Sequence, residues 1–300
     1  HLLRGMRLGA RLIMVGDSDQ LPSVSAGNVL RDLIQSGLVP CIHLERVFRQ
    51  AAESLIVTNA HAIVRGEMPD LGCRTGDFFF LEQPDAFAQQ RLVVDLVSRL
   101  PKSYGYDPLR DIQVITPAKQ GPLGTRELNR LLQGKLNPPE RGKGEATLMG
   151  RTLREGDKVM QIRNNYDIIW QQPDGTAGTG IFNGDMGIIE MLDPGSKTIQ
   201  VRFEEKLATY SFENQDQLEH AYAVTVHKSQ GSEFEAVVMP LERRHPKLHY
   251  RNLLYTAVTR ARKLLIMTGQ KETVYAMVQN NRRTLRYTNQ KEMLQEMCDE

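Results

Sequence analysis

The sequence predicts an α/β fold carrying a small all-β insertion, and three observations predict it. Short apolar runs alternate with amphipathic stretches of helical period at both ends of the 300-residue chain. Two late segments, AYAVTVHKSQGSEFEAVVM (221–239) and NLLYTAVTRARKLLIM (252–267), place polar residues where an apolar run stops, as expected where parallel strands end at the carboxyl edge of a sheet. Between about residues 134 and 214 the texture changes to short β-branched runs punctuated by Gly and Pro.

In chain order, ARLIMVGD (10–17) is an apolar run ending on a carboxylate and reads as a buried parallel strand with Asp17 at its end. A helix follows over 27–35, with Val29, Leu30, Leu33 and Ile34 on one face. CIHLERVFRQ (41–50) reads as a strand leading into a polar turn. Helical patterns occupy 53–65 and 85–100, the second with Val93, Leu96, Val97 and Leu100 in register. DIQVITPAKQGPLGT (111–125) is a strand broken at Pro117, then a loop, then a helix carrying Leu128, Leu131 and Leu132. In the insertion, GDKVMQIRNN, FNGDMGIIEML, KTIQVRF and ATYSF are separated by turns such as Asn183-Gly184 and Asp193-Pro194-Gly195. Short strands at this spacing favour a barrel. Strands at 221–226, 236–240 and 263–268 then resume the α/β pattern.

Composition narrows the function classes. With 38 Lys and Arg against 36 Asp and Glu the formal charge is +2, so any nucleic-acid groove must be locally basic. Cys41, Cys73 and Cys298 are far apart, which argues against a zinc knuckle or a disulfide framework and favours a reducing cytosol. No apolar stretch approaches the roughly 20 residues that span a bilayer, and no signal-peptide pattern opens the chain. Nothing fits G-x-x-x-x-G-K-[ST], the loop that cradles nucleotide phosphates, and no Asp-Glu pair closes a strand ahead of Gly16. Together with His1 as first residue, this gives the expectation of a piece of a longer protein.

A nucleoside triphosphatase must orient a water, neutralise charge on the transferred phosphoryl group and hold base and ribose. Gln20 lies just past a strand end and is placed to sense the γ-phosphate or position water; alone, it is equally a loop glutamine. Arg49 and Arg260 have the chemistry of arginine fingers, although a lone arginine more often makes a surface salt bridge. In a helix over 250–263, Leu253, Leu254, Ala257, Val258 and Ala261 form an apolar stripe. Thr256, Arg260 and Lys263 then face the other way, free to meet a ligand, and Tyr255 is packed or hydrogen-bonded. Thr225, His227, Lys228 and Ser229 supply donors suited to a nucleic-acid backbone, while Gly231 permits a reversal that turns Glu233 toward a ribose. Thr116, Lys119, Gln120 and Arg126 repeat that arrangement, as a second phosphate contact or as a solvated helix start. Arg163, Asn164, Asn165 and Tyr166 in the insertion either touch a strand or make turns.

As a set, GDSDQLPSVSAG, LERVFRQ, AYAVTVHKSQGSEF and NLLYTAVTRA resemble motifs III, IV, V and VI of the RecD-like superfamily 1B DNA helicases, over residues 10–268. That family includes stand-alone RecD-like helicases and the α subunit of exodeoxyribonuclease V. The resemblance implies the end of a first RecA-like motor lobe at 1–45, a second RecA-like lobe at 46–141 and 215–285, an inserted SH3-like barrel at 142–214, and a tail at 286–300. With that resemblance, the piece is expected to begin after the phosphate loop of a motor and to hydrolyse no ATP alone. It places Asp17, Gln20, Arg49, Gly231, Glu233 and Arg260 at the ATP cleft, with Gln20, Arg49 and Arg260 catalytic. Thr116, Lys119, Asn164, Asn165, Thr225, His227 and Lys228 would face DNA. ATP with Mg2+, held mostly by residues outside this sequence, is the implied cofactor. Single-stranded DNA and duplex junctions are the implied partners, with 5′-to-3′ movement in DNA repair or recombination and with nuclease or repair-complex subunits as companions. One departure is Ser25-Ala26-Gly27, where many relatives have Gly-Pro-Gly. Two other readings are a helicase subunit of a multi-subunit exodeoxyribonuclease and a non-catalytic DNA-binding or docking module; no acidic cluster has the spacing of a two-metal nuclease.

Overall fold

The computed structural model describes residues 2–22, 27–44, 53–281 and 288–299. After a single turn α1 (Leu2–Gly5), the helices of the α/β part are α2 (Val29–Ser36), α3 (Leu55–Arg65), α4 (Ala86–Tyr104) and α5 (Thr125–Leu136), then α6 (Arg251–Val258), α7 (Lys271–Gln279) and α8 (Gln290–Asp299). Its strands are β1 (Phe78–Glu82), β2 (Ile112–Thr116), β12 (Ala223–Thr225), β13 (Phe234–Pro240) and β14 (Ala261–Gly269). They form one sheet in the order β1-β14-β13-β2-β12, with every pair parallel.

Runs such as IQVIT and FEAVVMP are apolar at successive positions because both faces of this sheet are covered. Val237 and Met239 point into a core closed by Ile56, Ala60 and Ile63 of α3, Leu253 and Ala257 of α6, and Val274 and Met277 of α7. Ala236 and Val238 point into the other core, against Val93, Val97 and Leu100 of α4 and Leu128 and Leu132 of α5. Helix starts follow from local chemistry. The Ser54 hydroxyl accepts from Val57 N at the start of α3, and Asp85 accepts from Ala88 N at the start of α4. The Asp77 carboxylate also accepts from Leu55 N at 2.8 Å, tying the approach to β1 to the start of α3. Among the described residues no helix is long and apolar enough to cross a membrane.

The insertion opens with the hairpin β3 (Glu145–Leu148) and β4 (Arg151–Arg154). It continues through β5 (Lys158–Gln161), β6 (Asn165–Gln171), β7 (Ala177–Ile181), β8 (Met186–Asp193), β9 (Thr198–Phe203), β10 (Lys206–Ser211) and β11 (Leu218–His220). Strands β5 to β11 form a seven-stranded antiparallel sheet, in the order β11-β5-β8-β9-β10-β6-β7, around its own core of Val159, Ile181, Ile189, Val201 and Tyr210. The sheet curls on itself. Tyr210 on β10 donates to Gln161 Oε1 on β5 at 3.1 Å, across the two strands that separate them in the sheet, and Asn165 on β6 reaches Gln217, just before β11, at 2.9 Å. The last strand of this sheet therefore lies beyond the expected limit at 214, because a polar 3₁₀ turn at Phe212–Gln217 intervenes.

Asp157 joins the insertion to the α/β part. Its fully buried carboxylate accepts from Asn137 Nδ2 at 2.6 Å, Gln133 Nε2 at 2.7 Å, Arg154 N at 2.8 Å and the Tyr222 hydroxyl at 2.9 Å, and touches His220 Nε2 at 3.1 Å. These contacts overcome the desolvation that would raise its pKa and hold it below the ordinary carboxylate value. Next to it, buried Lys158 donates to Ile112 O at 3.2 Å and lies 5.8 Å from the centre of the Phe234 ring.

Three expectations are corrected, and a fourth, the tail, gains a helix. Residues 10–17 are not a strand: Ile13 and Val15 are 84% and 93% exposed, because among the described residues no neighbouring strand supplies hydrogen bonds or apolar cover. Residues 41–44 are likewise extended and exposed, with the remainder of that expected strand, 45–50, outside the described residues. The helix expected over 250–263 ends at Val258, where Thr259 caps it and the chain turns straight into β14. The tail expected at 286–300 contains α8, whose Gln295 Nε2 donates to Ser36 O at the end of α2 at 3.3 Å.

Two stability experiments follow. Asp157→Asn puts an amide donor among donors that need an acceptor, and should cost about 3 kcal/mol in urea denaturation. Burial lowers the Lys158 pKa to about 7, from an ordinary 10.5. Between those values the unfolded chain holds a proton that the folded one does not, so stability falls as pH drops through that window. Lys158→Met should therefore melt higher than the parent near pH 7, by about 1–3 kcal/mol, with the gap closing toward pH 10 and beyond.

Candidate nucleotide and nucleic-acid site

Because the central strands all run one way, their carboxyl and amino ends lie at opposite edges of the sheet. Thr116 and Thr225 end β2 and β12 side by side in register. Glu233 and Arg260 immediately precede β13 and β14, at the amino edge. Arg260, expected on the polar face of a helix reaching residue 263, stands instead between the end of α6 at Val258 and the start of β14 at Ala261, and so at the amino edge.

At the amino edge four side chains form a connected chain. Arg260 is 5% exposed. Its Nε donates to Thr256 O at 3.0 Å, Nη1 to Ser232 O at 3.0 Å, and Nη2 to Gln20 Oε1 and Thr259 Oγ1, both at 3.2 Å. Gln20 Nε2 in turn donates to Asp17 Oδ2 at 3.1 Å, which also accepts from the Tyr255 hydroxyl at 2.8 Å. Burial pulls the Arg260 pKa down, opposed by the charge of Glu233 and by Tyr255 and Asp17. The backbone is held as well: Leu21 N donates to Thr256 Oγ1 at 2.9 Å, Asn252 Nδ2 to Asp19 O at 2.6 Å, and Gln230 Nε2 to Leu21 O at 2.8 Å. Glu233 is exposed beside this group and pairs with Arg262 at 2.9 Å. Gly231 has φ +82, a left-handed value that allows the reversal between Ser229 and Glu233. Arg49 lies outside the described residues, as do Ser25 and Ala26.

At the carboxyl edge, Lys119, Thr125, Asn129, Glu219, His220, Thr225 and Lys228 line a small cavity between β11 of the insertion and the ends of the parallel strands. It is about 20 Å³, the size of a water molecule. Lys228 is not free: its ammonium pairs with Glu219 at 2.6 Å. That contact, with the nearby charges of Lys119 and Arg151, keeps the half-buried Glu219 below the ordinary carboxylate pKa against desolvation. His227 is exposed, and desolvation together with the charge of Lys119 lowers its pKa. Thr116 is buried and its hydroxyl donates to Leu123 O at 2.7 Å, so it braces the loop before α5 instead of facing a ligand. Ser229 is also buried, donating to Val226 O. Asn164 and Asn165 sit apart, on the insertion. Asn164 Oδ1 accepts from Asn183 N at 3.0 Å, and Asn165 both donates to Gln217 and accepts from Asp167 N.

Sequence reasoning therefore brought together Asp17, Gln20 and Arg260, and separately Lys119, Thr225 and Lys228. Tyr255, read from the sequence as packed or hydrogen-bonded, does hydrogen-bond, to Asp17. Sequence reasoning did not supply that partner, the contacts of Asn252 and Gln230, or the neutralising Glu219.

Comparison with known proteins shows what the chain is similar to. The profile of the ATP-dependent RecD-like DNA helicase SH3 domain matches residues 128–203, that of the UvrD-like helicase C-terminal domain matches 220–268, and an AAA domain profile matches 1–75. The ATP-dependent RecD2 DNA helicase of Deinococcus radiodurans is 35% identical over 268 residues, covering 89% of this chain and 34% of that protein. The RecBCD enzyme subunit RecD of Mycobacterium tuberculosis is 30% identical over 292 residues, covering 93% of this chain and 48% of that protein. The chain thus spans about a third to a half of the length of these relatives. Among solved structures, a Pif1 helicase from Bacteroides in complex with ADP-AlF3 and ssDNA aligns with a TM-score of 0.48 at 18% identity, over 87% of this chain and 62% of that one. With a RecD-like helicase SH3 profile over 128–203 and a UvrD-like helicase C-terminal profile over 220–268, the chain is similar to the C-terminal region of RecD-like superfamily 1 helicases.

Proposed function

We propose that this chain is the receiving part of an ATP-dependent DNA helicase, and that its two edge groups are a nucleotide end and a DNA end joined by one turn. The single observation that carries this reading is the segment 225–233. It begins at Thr225 and Lys228 on the carboxyl edge and finishes at Ser232 and Glu233, where Ser232 O holds Arg260. A displacement at either end is transmitted through nine residues whose middle is fixed by buried Ser229 and by the Gln230 contact to Leu21.

In this reading Arg260 stabilises charge on the transferred phosphoryl group by exchanging its Gln20 contact for a phosphate oxygen as the lobes close, with Arg49 as the second finger. Gln20, so released, orients water or senses the γ-phosphate, and Gly231 and Glu233 border the ribose. The DNA backbone runs over Thr225, His227, Lys228 and Lys119, with the insertion at Asn164 and Asn165 as a further contact. His227 offers its imidazole N–H to a phosphate oxygen, next to Lys119, whose charge with desolvation lowers the imidazole pKa. Mg2+ would arrive with the ATP phosphates and, as the family resemblance implies, be held mostly by groups outside this sequence. Movement in the 5′-to-3′ direction, a role in repair or recombination, action at duplex junctions, nuclease or repair-complex partners and a cytosolic location complete the proposal. Likeness to proteins named as an ATP-dependent DNA helicase and a RecBCD enzyme subunit supports the helicase activity and the complex partners, while the direction, the junctions and the compartment follow only from the family resemblance.

Two measurements test it. The 300-residue chain alone should show no ATP turnover with or without DNA, because it contains no phosphate loop; steady-state turnover abolished by Arg260→Ala would overturn that. In the longer protein that carries the loop, Arg260→Ala should lower DNA-stimulated ATP turnover by about a thousandfold while single-strand affinity changes little. Thr225→Ala should weaken DNA binding and uncouple stimulation at nearly unchanged nucleotide affinity, with both variants compared at one fixed salt concentration. Loss of DNA affinity with full turnover in Arg260→Ala would mean that the two ends are assigned the wrong way round.

A further inference from the structure

Tyr255 has an apolar ring on α6 and a hydroxyl that reaches a segment more than 200 residues earlier in the chain. We propose that Tyr255 is a positioning residue for ATP hydrolysis, which fixes the side-chain amide of Gln20 through Asp17; this rests on the motor reading above. A glutamine amide has two faces that differ only in which end donates, and neither end is preferred unless its neighbours decide. Here they do. On one side stands the Asp17 carboxylate, which only accepts, and on the other the Arg260 guanidinium, which only donates. Gln20 must therefore turn Nε2 to Asp17 and Oε1 to Arg260, and a reversed amide would meet like groups at both contacts.

The carboxylate settles that orientation only if it stays in place, and Asp17 lies in an otherwise exposed stretch. Two contacts hold it: Oδ1 accepts from Asp19 N at 2.9 Å, within its own loop, and Oδ2 accepts from Tyr255 at 2.8 Å. The tyrosine contact alone comes from α6. Burial, and the charge of Asp17, push the Tyr255 phenol pKa up, so it remains a donor across the working pH range. Tyr255 and Arg260 thus grip Gln20 from two sides of one short segment, Arg260 directly and Tyr255 through Asp17. When Arg260 lets go to meet a phosphate, the Tyr255 arm keeps the amide facing the same way.

The test uses Tyr255→Phe, which keeps the packed ring, and Asp17→Ala, which leaves the ring untouched. In the 300-residue chain, the Gln20 side-chain amide resonances, identified by their loss in Gln20→Ala, should shift or broaden in both variants and stay in place in the control Tyr250→Phe. In the longer protein, Tyr255→Phe should lower kcat for DNA-stimulated ATP hydrolysis by about tenfold with KM for ATP and single-strand affinity unchanged. In a Gln20→Ala background the same substitution should have no further effect, an epistasis that general loss of stability would not produce. Unmoved Gln20 resonances, or multiplicative losses in the double variant, would overturn the proposal. If instead the longer parent protein lacks DNA-stimulated turnover, the motor reading fails, and the resonances in the chain alone still decide whether Tyr255 positions Gln20.

Discussion

Covering both faces of a parallel sheet leaves a protein only the edges on which to place chemistry, and that constraint organises this chain. Val237 and Val238 face opposite cores, so the strand between them has no free surface. Polar groups collect where strands begin and end. The same five-stranded order puts Thr225 at one edge and Arg260 at the other, and the short link between β12 and β13 is what makes the edges a single device. A helix in that crossover would have separated them; a pair of turns does not.

The insertion is attached to this sheet through charge rather than through apolar contact alone. Asp157 is an acceptor shared by groups from α5, β4, β11 and the link between β11 and β12, and Lys158 buries its amine against the start of β2. Carboxylates and amines buried in this way contribute little to net stability compared with apolar groups of the same volume. What they supply is direction, since each partner must sit where its hydrogen bond can form. The barrel is thereby oriented so that Glu219 of β11 looks into the carboxyl-edge cavity.

Much of the fold was legible because it depends on local pattern. The 3.6-residue period of Val93, Val97 and Leu100 and the uninterrupted apolar runs of β2 and β13 need no tertiary knowledge. What escaped depends on distant partners. ARLIMVGD has the composition of a buried strand, but a strand exists only with neighbours. The direction of Arg260 could not be read without knowing that Thr259 ends α6, since one residue decides whether the guanidinium lies along a helix or at the head of a strand. Thr116 sits at a strand end as expected, yet its hydroxyl turns inward to a carbonyl seven residues later. Asp157 was invisible for a different reason: in the sequence it is one acidic residue in a Gly-Asp-Lys turn, and its partners are 20, 24, 63 and 65 positions away.

The exposed stretch Arg11–Val15 bears on how the chain behaves as a colloid. Leu12, Ile13, Met14 and Val15 form a continuous apolar strip with no backbone pairing among the described residues, which is the composition that adds a strand to any open sheet edge. Its flanks are charged and of opposite sign, with Arg7 and Arg11 before it and Asp17 and Asp19 after it. Two copies laid parallel and in register would bring like charges together at both ends. Laid antiparallel they would set Arg11 against Asp17, so the flanking charges disfavour the parallel in-register arrangement of this segment and favour the antiparallel one.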